Sequence, residues 1–205
     1  RSLKAFLLAA GLGTRLRPLT NDIPKCLVPL NGKPMLDYWF SLFAAHGVTE
    51  VLVNLHHHAE KVQAFLEASQ YPFRIVPFFE PTLLGSAGTI YANRQWVANE
   101  KRFLIAYADN LTNTDLTAFR QFHHRNEALL TMGLFRTNRP TECGIALLDD
   151  EKTIIDFAEK PQQPKSTLAN AGMYMAHPEI FDFFTDTYPQ DLGFDILPKL
   201  VGKMK

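Results

Sequence analysis

The sequence predicts an α/β fold built around a largely parallel sheet. Apolar, β-rich runs alternate with amphipathic stretches at helical spacing through the first two thirds of the chain. The connections between them are short. In the last third the alternation gives way to closely spaced strand-like runs around an acidic turn, which predicts a small antiparallel hairpin region.

The elements follow in order. Lys4–Ala10 is an apolar strand feeding the loop GLGTRLRPLT. Pro34–His46 reads as a helix: Leu36, Trp39, Phe40 and Phe43 share one face as core, Pro34 opens it and Gly47 can cap it. Val51–Leu55 is a strand, 59–68 a helix with Val62, Phe65 and Leu66 on one side, and Arg74–Phe79 a strand. Ile90–Val97 reads as helix, Phe103–Ala108 as strand, Leu116–Asn126 as helix and Ala128–Phe135 as strand. Ile145–Leu148 and Thr153–Phe157 flank Asp149-Asp150-Glu151 as a hairpin with a solvated turn. Gly172–Ala176 is a further strand, followed by a helix from about Pro178. Residues 1–205 are expected to form a single domain.

The bulk numbers bound the function. The chain has 205 residues, with 21 Lys plus Arg against 21 Asp plus Glu. A balanced surface offers no net field for nucleic acid or an anionic membrane, so neither is expected as a partner. No run approaches the length of a membrane span, and the N-terminal apolar stretch reads as a first strand in place of a signal peptide. Two cysteines, Cys26 and Cys143, are too few for a disulfide scaffold and suit free thiols in the cytoplasm. A homo-oligomer is compatible with all of this.

Ligands of open α/β sheets bind beyond the carboxyl ends of the strands. That points to the loops beginning at Gly11, near Gly85 and at Asp109. Glycines directly after an apolar strand let the backbone approach a phosphate and aim its amides at it. The loop is not a P-loop, because no Gly-Lys-Ser/Thr follows, and the absent third glycine argues against a dinucleotide-dependent oxidoreductase. Arg15, Arg17 and Lys25 lie close together on a segment stiffened by Pro18 and Pro24. Grouped cations repel one another unless an anion sits among them. Asp109 ends an apolar strand at the ligand side, and an oxygen ligand there suits Mg²⁺. His56-His57-His58 reads as a loop near the pocket mouth and His123 and His124 as surface residues. The chain has no evident Ser-His-Asp or Cys-His arrangement.

The stretch AAGLGTRLRPLTNDIPKCLVPLNGKPML resembles the signature of the sugar nucleotidyltransferase family. EPTLLGSAGTI, FLIAYADNLT, FAEKP and NAGMYMAHPEIF match further family segments in the right order. The resemblance implies a Rossmann-like nucleotidyltransferase fold with a mixed, mostly parallel central sheet, no covalent intermediate, Mg²⁺ as cofactor, and a nucleoside triphosphate and a sugar 1-phosphate as substrates. It implies that Ala10, Gly11, Gly13 and Thr14 wrap the nucleotide, that Arg15 meets the β- and γ-phosphates, and that Lys25 lies near the α-phosphate. Gly88 stands where the family backbone reads the base, and Asp109 where it holds the metal. Gly144, Glu159, Asn170 and Gly172 resemble sugar-pocket positions, and Lys160 the lysine on the sugar phosphate.

Two departures stand out. Ala108 replaces the family's glycine before the aspartate. The family's second metal aspartate, in an Asp-x-Gly-Thr-like segment, has no counterpart before Lys205, so either the C-terminal end of the domain is missing or Asp109 and the phosphates hold the metal alone. EPTLLGSAGTI leans the substrate choice toward GTP with a mannose- or heptose-type 1-phosphate. The alternatives are a uridylyltransferase acting on an amino-sugar 1-phosphate such as N-acetylmuramate 1-phosphate, and a catalytically silent nucleotide- or sugar-sensing subunit. Cys26 and Cys143 adjoin Lys25 and Gly144, so the family placement puts both near the pocket and thiol reagents are expected to inhibit.

Overall fold

A computed structural model describes residues 2–205. The chain divides into two compact units. The first comprises the residues up to Leu83 together with Ile105–Thr117; the second comprises Leu84–Leu104 and Ala118–Lys205.

The first unit holds strands β1 (Lys4–Leu8), β4 (Glu50–Leu55) and β5 (Arg74–Phe79) and most of β6 (Phe103–Tyr107), in the order β5-β4-β1-β6. β1 pairs with β4, and β4 with β5, in parallel. Phe6, Leu7, Val51 and Val53 are wholly buried, as continuous apolar runs in a parallel sheet require. Helix α1 (Met35–Ala45) buries Leu36, Trp39, Phe40 and Phe43, and α2 (Ala59–Ala68) buries Val62 and Leu66. Phe65 is only half-buried and stacks on Phe40 with ring centroids 6.4 Å apart. A two-residue ladder that the sequence did not announce, β2 (Pro29–Leu30) against β3 (Lys33–Pro34), closes the signature segment; Asn31 and Gly32 turn it with positive φ.

The second unit is antiparallel around β10 (Leu168–Ala176). It pairs with β7 (Leu130–Arg136) on one side and with β8 (Gly144–Leu148) on the other. β8 pairs in turn with β9 (Ile154–Glu159), the expected hairpin. In its turn, Asp149 Oδ1 accepts from the amides of Glu151 and Thr153, and the three acidic residues are exposed. The α/β class with a mixed sheet is therefore as the sequence predicts.

Four local readings are corrected. The helix expected over Ile90–Val97 begins earlier, as α3 (Ser86–Ala92), and breaks at Asn93 before the short α4 (Arg94–Val97). Its first turn is satisfied by Gln190 O, which accepts from Ala87 N and Gly88 N, so no capping side chain marks it. Asn93 donates its side-chain amide to Thr89 O at 2.9 Å and disturbs the ladder there. β10 starts four residues before Gly172, because a bulge between Asn170 and Tyr174 lets the strand continue across that glycine. The segment from Pro178 to Phe183 is 3-10 and not α-helical. His123, in α5 (Leu116–Asn126), is buried and not a surface residue: its Nδ1 lies 2.8 Å from Thr131 Oγ1.

Candidate active site

The candidate residues fall into two sets, one in each unit. In the first unit, β1 delivers the chain to Ala9 and the buried Ala10. Ala9 N donates to Asn54 Oδ1 at 2.6 Å, and Asn54 Nδ2 donates to the buried Glu80 Oε2 at 2.7 Å. This polar pair, satisfied away from solvent, fixes where the loop leaves the sheet.

Gly11 is exposed, and a Cβ added there would meet nothing within 4 Å, so packing within the chain does not demand a glycine. Gly13 differs. It sits at φ 64°, and a Cβ would come within 2.8 Å of Thr20 Cγ2. Thr20, itself buried, donates its hydroxyl to Gly13 O at 2.6 Å. Three short 3-10 turns follow: Thr14–Leu16, Leu19–Asn21 and Lys25–Leu27. Thr14 and Arg15 are exposed in the first, and Lys25 opens the third, half-buried behind the buried Pro24.

Asp109 follows β6 directly. Its approach is fixed by two bonds to Ala108: Ala108 N donates to Leu8 O at 2.9 Å, and the indole Nε1 of Trp39 donates to Ala108 O at 2.9 Å. Ala108 is buried, so the methyl group in place of the expected glycine is accommodated. The Lys25 ammonium lies 2.8 Å from Asp109 Oδ2, with the two side chains 29% and 42% exposed. A pair so open to water adds little stability. What the arrangement offers is a cation and a carboxylate together beyond the carboxyl ends of β1 and β6, with Arg15 exposed on the adjoining loop.

The described residues contain no group of three or more His, Cys, Asp or Glu able to hold a metal. Mg²⁺ does not need one: it takes one or two carboxylates and completes its shell with water and substrate phosphates. The exposed Asp109 carboxylate is a donor of that kind.

In the second unit, Gly88 is buried under Tyr188, whose Cδ1 would lie 2.9 Å from a Cβ there. Gly144 pairs across the hairpin with Glu159, and a Cβ at Gly144 would come 2.7 Å from Glu159 Oε2. A Cβ at Gly193 would collide with the same oxygen. Two glycines thus make room for one carboxyl group. Burial pushes the Glu159 carboxyl above the usual range; the negative charge of Asp191 adds to this and Lys160 opposes it. Asp191 accepts from Ser86 Oγ at 3.3 Å and from Phe194 N at 2.8 Å. Lys160 is exposed at φ 47°, with its amide donating to Cys143 O at 3.0 Å. Asn170 serves the bulge: its Oδ1 accepts from Gly172 N at 2.8 Å and its Nδ2 donates to Tyr174 Oη at 2.5 Å. Gly172, at φ 71°, supplies the left-handed step.

Sequence reasoning did not single out the supporting residues Thr20, Trp39, Asn54 and Ser86 for these roles. Each is an ordinary residue in a core or loop pattern, and only its hydrogen-bond partner reveals it. The expectation for the thiols changes as well. Cys26 is buried, and burial pushes its pKa up to about 12. Only Cys143 is partly accessible.

Comparison with known proteins agrees with this architecture. HddC from Yersinia pseudotuberculosis, a solved structure 24% identical in sequence, superposes with a TM-score of 0.78 over 99% of this chain and 88% of its own. A UTP–glucose-1-phosphate uridylyltransferase of Synechocystis is 32% identical over 97% of this chain and 55% of its own length. A mannose-1-phosphate guanylyltransferase of Mycobacterium tuberculosis is 30% identical over 97% of this chain and 55% of its own. The chain thus spans about half the length of these curated relatives. Residues 4–205 match the nucleotidyl transferase family, and the chain belongs to it.

Proposed function

We propose that this chain carries the nucleotidyl-transfer site of a sugar-1-phosphate nucleotidyltransferase. The observation that carries the reading is the Lys25–Asp109 pair, held beside the Gly11–Arg15 loop in a chain of this family. In the reaction a phosphate oxygen of the sugar 1-phosphate attacks the α-phosphorus of a nucleoside triphosphate. The bond to the bridging oxygen breaks and pyrophosphate leaves in line.

Two anions must meet, so charge repulsion is the main barrier and positioned cations are the main remedy. Lys25 faces the α-phosphate and Arg15 the departing β- and γ-phosphates, while the backbone of Ala10–Thr14 wraps the nucleotide and Gly88 reads the base. Lys160 holds the sugar phosphate; Gly144, Glu159, Asn170 and Gly172 line the sugar pocket. Mg²⁺, held by Asp109 and the phosphates, would neutralise charge on the triphosphate. No general base is needed, because the attacking phosphate oxygen is already ionised. The free thiols Cys26 and Cys143 support a reducing, cytoplasmic setting. We read both compact units as one nucleotidyltransferase domain, since the family match runs through both.

For substrates, the LLGSAG segment favours GTP with a mannose- or heptose-type 1-phosphate. The 32% identical relative named for UTP and glucose 1-phosphate favours a uridylyl alternative. Incubation with GTP and UTP in competition, followed by mass analysis of the nucleotide-sugar formed, decides between them. A guanosine product supports the first reading, and a uridine product overturns it.

A further inference from the structure

The corner between β4 and α2 holds the nucleotide loop by three consecutive carbonyls. His57 Nε2 lies 3.0 Å from Thr20 O, and His58 Nε2 lies 2.6 Å from Asn21 O. Lys61 Nζ donates to Asp22 O. A carbonyl only accepts, so both imidazoles carry their proton on Nε2. His58 adopts φ 50°, a left-handed conformation uncommon for a residue with a side chain, at the N-terminus of α2. Its ring is turned outward to the loop and does not cap its own helix. The rings of His57 and His58 lie 4.1 Å apart, so the two donors form one unit.

The clamped residues are not remote from the site. Thr20 is the residue whose hydroxyl holds Gly13 O, and a Cβ at Gly13 would lie 3.2 Å from Lys25 Cβ. Arg15 precedes the clamped carbonyls and Lys25 follows them. The segment between is mostly exposed, and its own backbone makes isolated 3-10 hydrogen bonds, such as Asn21 N to Pro18 O. A segment of that kind orders itself poorly unless something outside it supplies the constraint.

We infer that His57, His58 and Lys61 are positioning residues that set the conformation of the 14–25 loop, and through it the placement of Arg15 and Lys25 on the triphosphate. The inference rests on the nucleotidyltransferase reading for its kinetic consequence, but not for its structural one.

The test uses the whole chain. His57→Ala/His58→Ala removes two donors, and His57→Gln/His58→Gln restores an amide donor near each Nε2 position. Hydrogen exchange over residues 14–25 is expected to speed up about tenfold or more in the alanine pair and to return toward the parent rate in the glutamine pair. Exchange in β1 and β6 stays unchanged. KM for the triphosphate rises about tenfold in the alanine pair, while KM for the sugar phosphate holds. Unchanged loop exchange in the alanine pair overturns the clamp, whatever the activity. If the parent protein releases no pyrophosphate from any substrate pair, the enzyme reading fails and the exchange result still decides the clamp. Should the alanine pair fail to fold, Lys61→Met removes a surface donor alone; accelerated loop exchange there supports the clamp and unchanged exchange overturns it.

Discussion

Lys25 and Asp109, 84 residues apart in sequence, meet at 2.8 Å where the loop segment after β1 faces the end of β6. Each is brought there by separate devices: Lys25 by the 3-10 turn after the buried Pro24, and Asp109 by the Trp39 bond to Ala108 O. Converging on a solvent-open ion pair is poorly explained by stability, since such pairs contribute about 0–1 kcal/mol.

Lys25→Ala should therefore separate function from folding. Turnover falls on the order of 100-fold if the ammonium stabilises the transition state, while unfolding free energy changes by less than about 1 kcal/mol. Steady-state kinetics beside urea denaturation checks both. A change in turnover below about threefold removes Lys25 from the mechanism.

The two thiols should differ sharply. The thiolate is the reactive form, and the Cys26 thiol is buried with its pKa pushed up to about 12. Iodoacetamide at pH 8 is expected to label Cys143 first and Cys26 only on unfolding, as peptide mass spectrometry would read. Rapid labelling of Cys26 in the folded protein contradicts this.

His123 should make the fold acid-sensitive. Burial, reinforced by the charges of Arg102, His177 and His124, lowers its pKa from 6.5 to about 4. Between those values the unfolded chain binds a proton that the folded one does not. Stability is therefore full above pH 6.5 and declines as pH falls toward 4, by on the order of 2 kcal/mol. His123→Gln should flatten that decline in denaturation curves collected from pH 4 to 7. The residue lines a basic groove of about 720 Å³ in the second unit, with Arg102, His124, His177 and Lys203, that includes none of the candidate site residues.

Gly85→Ala should cost about 3 kcal/mol. The residue sits at φ 80°, and an added Cβ would land on Gln190 O, the carbonyl that caps α3. A thermal shift of less than about 2 °C contradicts the geometry.

The sequence made the parallel part of the fold legible because buried strands and amphipathic helices leave periodic signals: β4, α1 and α5 fall within a residue or two of their predicted ranges. It did not reveal the start of α3, whose cap is the backbone carbonyl of Gln190 about a hundred residues later, nor the bulge that extends β10. Arg15, Lys25 and Asp109 stand out in the sequence because charged residues on loops after apolar strands have no packing role, and the structure brings Lys25 and Asp109 together. Thr20, Asn54 and Trp39, which hold those residues in place, look like any other core or turn residues until their partners are known. The histidine run reads in the sequence only as a loop near the pocket mouth, because carbonyl acceptors 37 residues away leave no mark in composition.

The central claim is tested most directly by pyrophosphate release, with Mg²⁺ present, from each of the four nucleoside triphosphates paired with a panel of sugar 1-phosphates. Release is expected to need one triphosphate and one sugar phosphate together and to fall on the order of 100-fold in Lys25→Ala. Triphosphate binding with no release from any pair would contradict it and leave a nucleotide-sensing role.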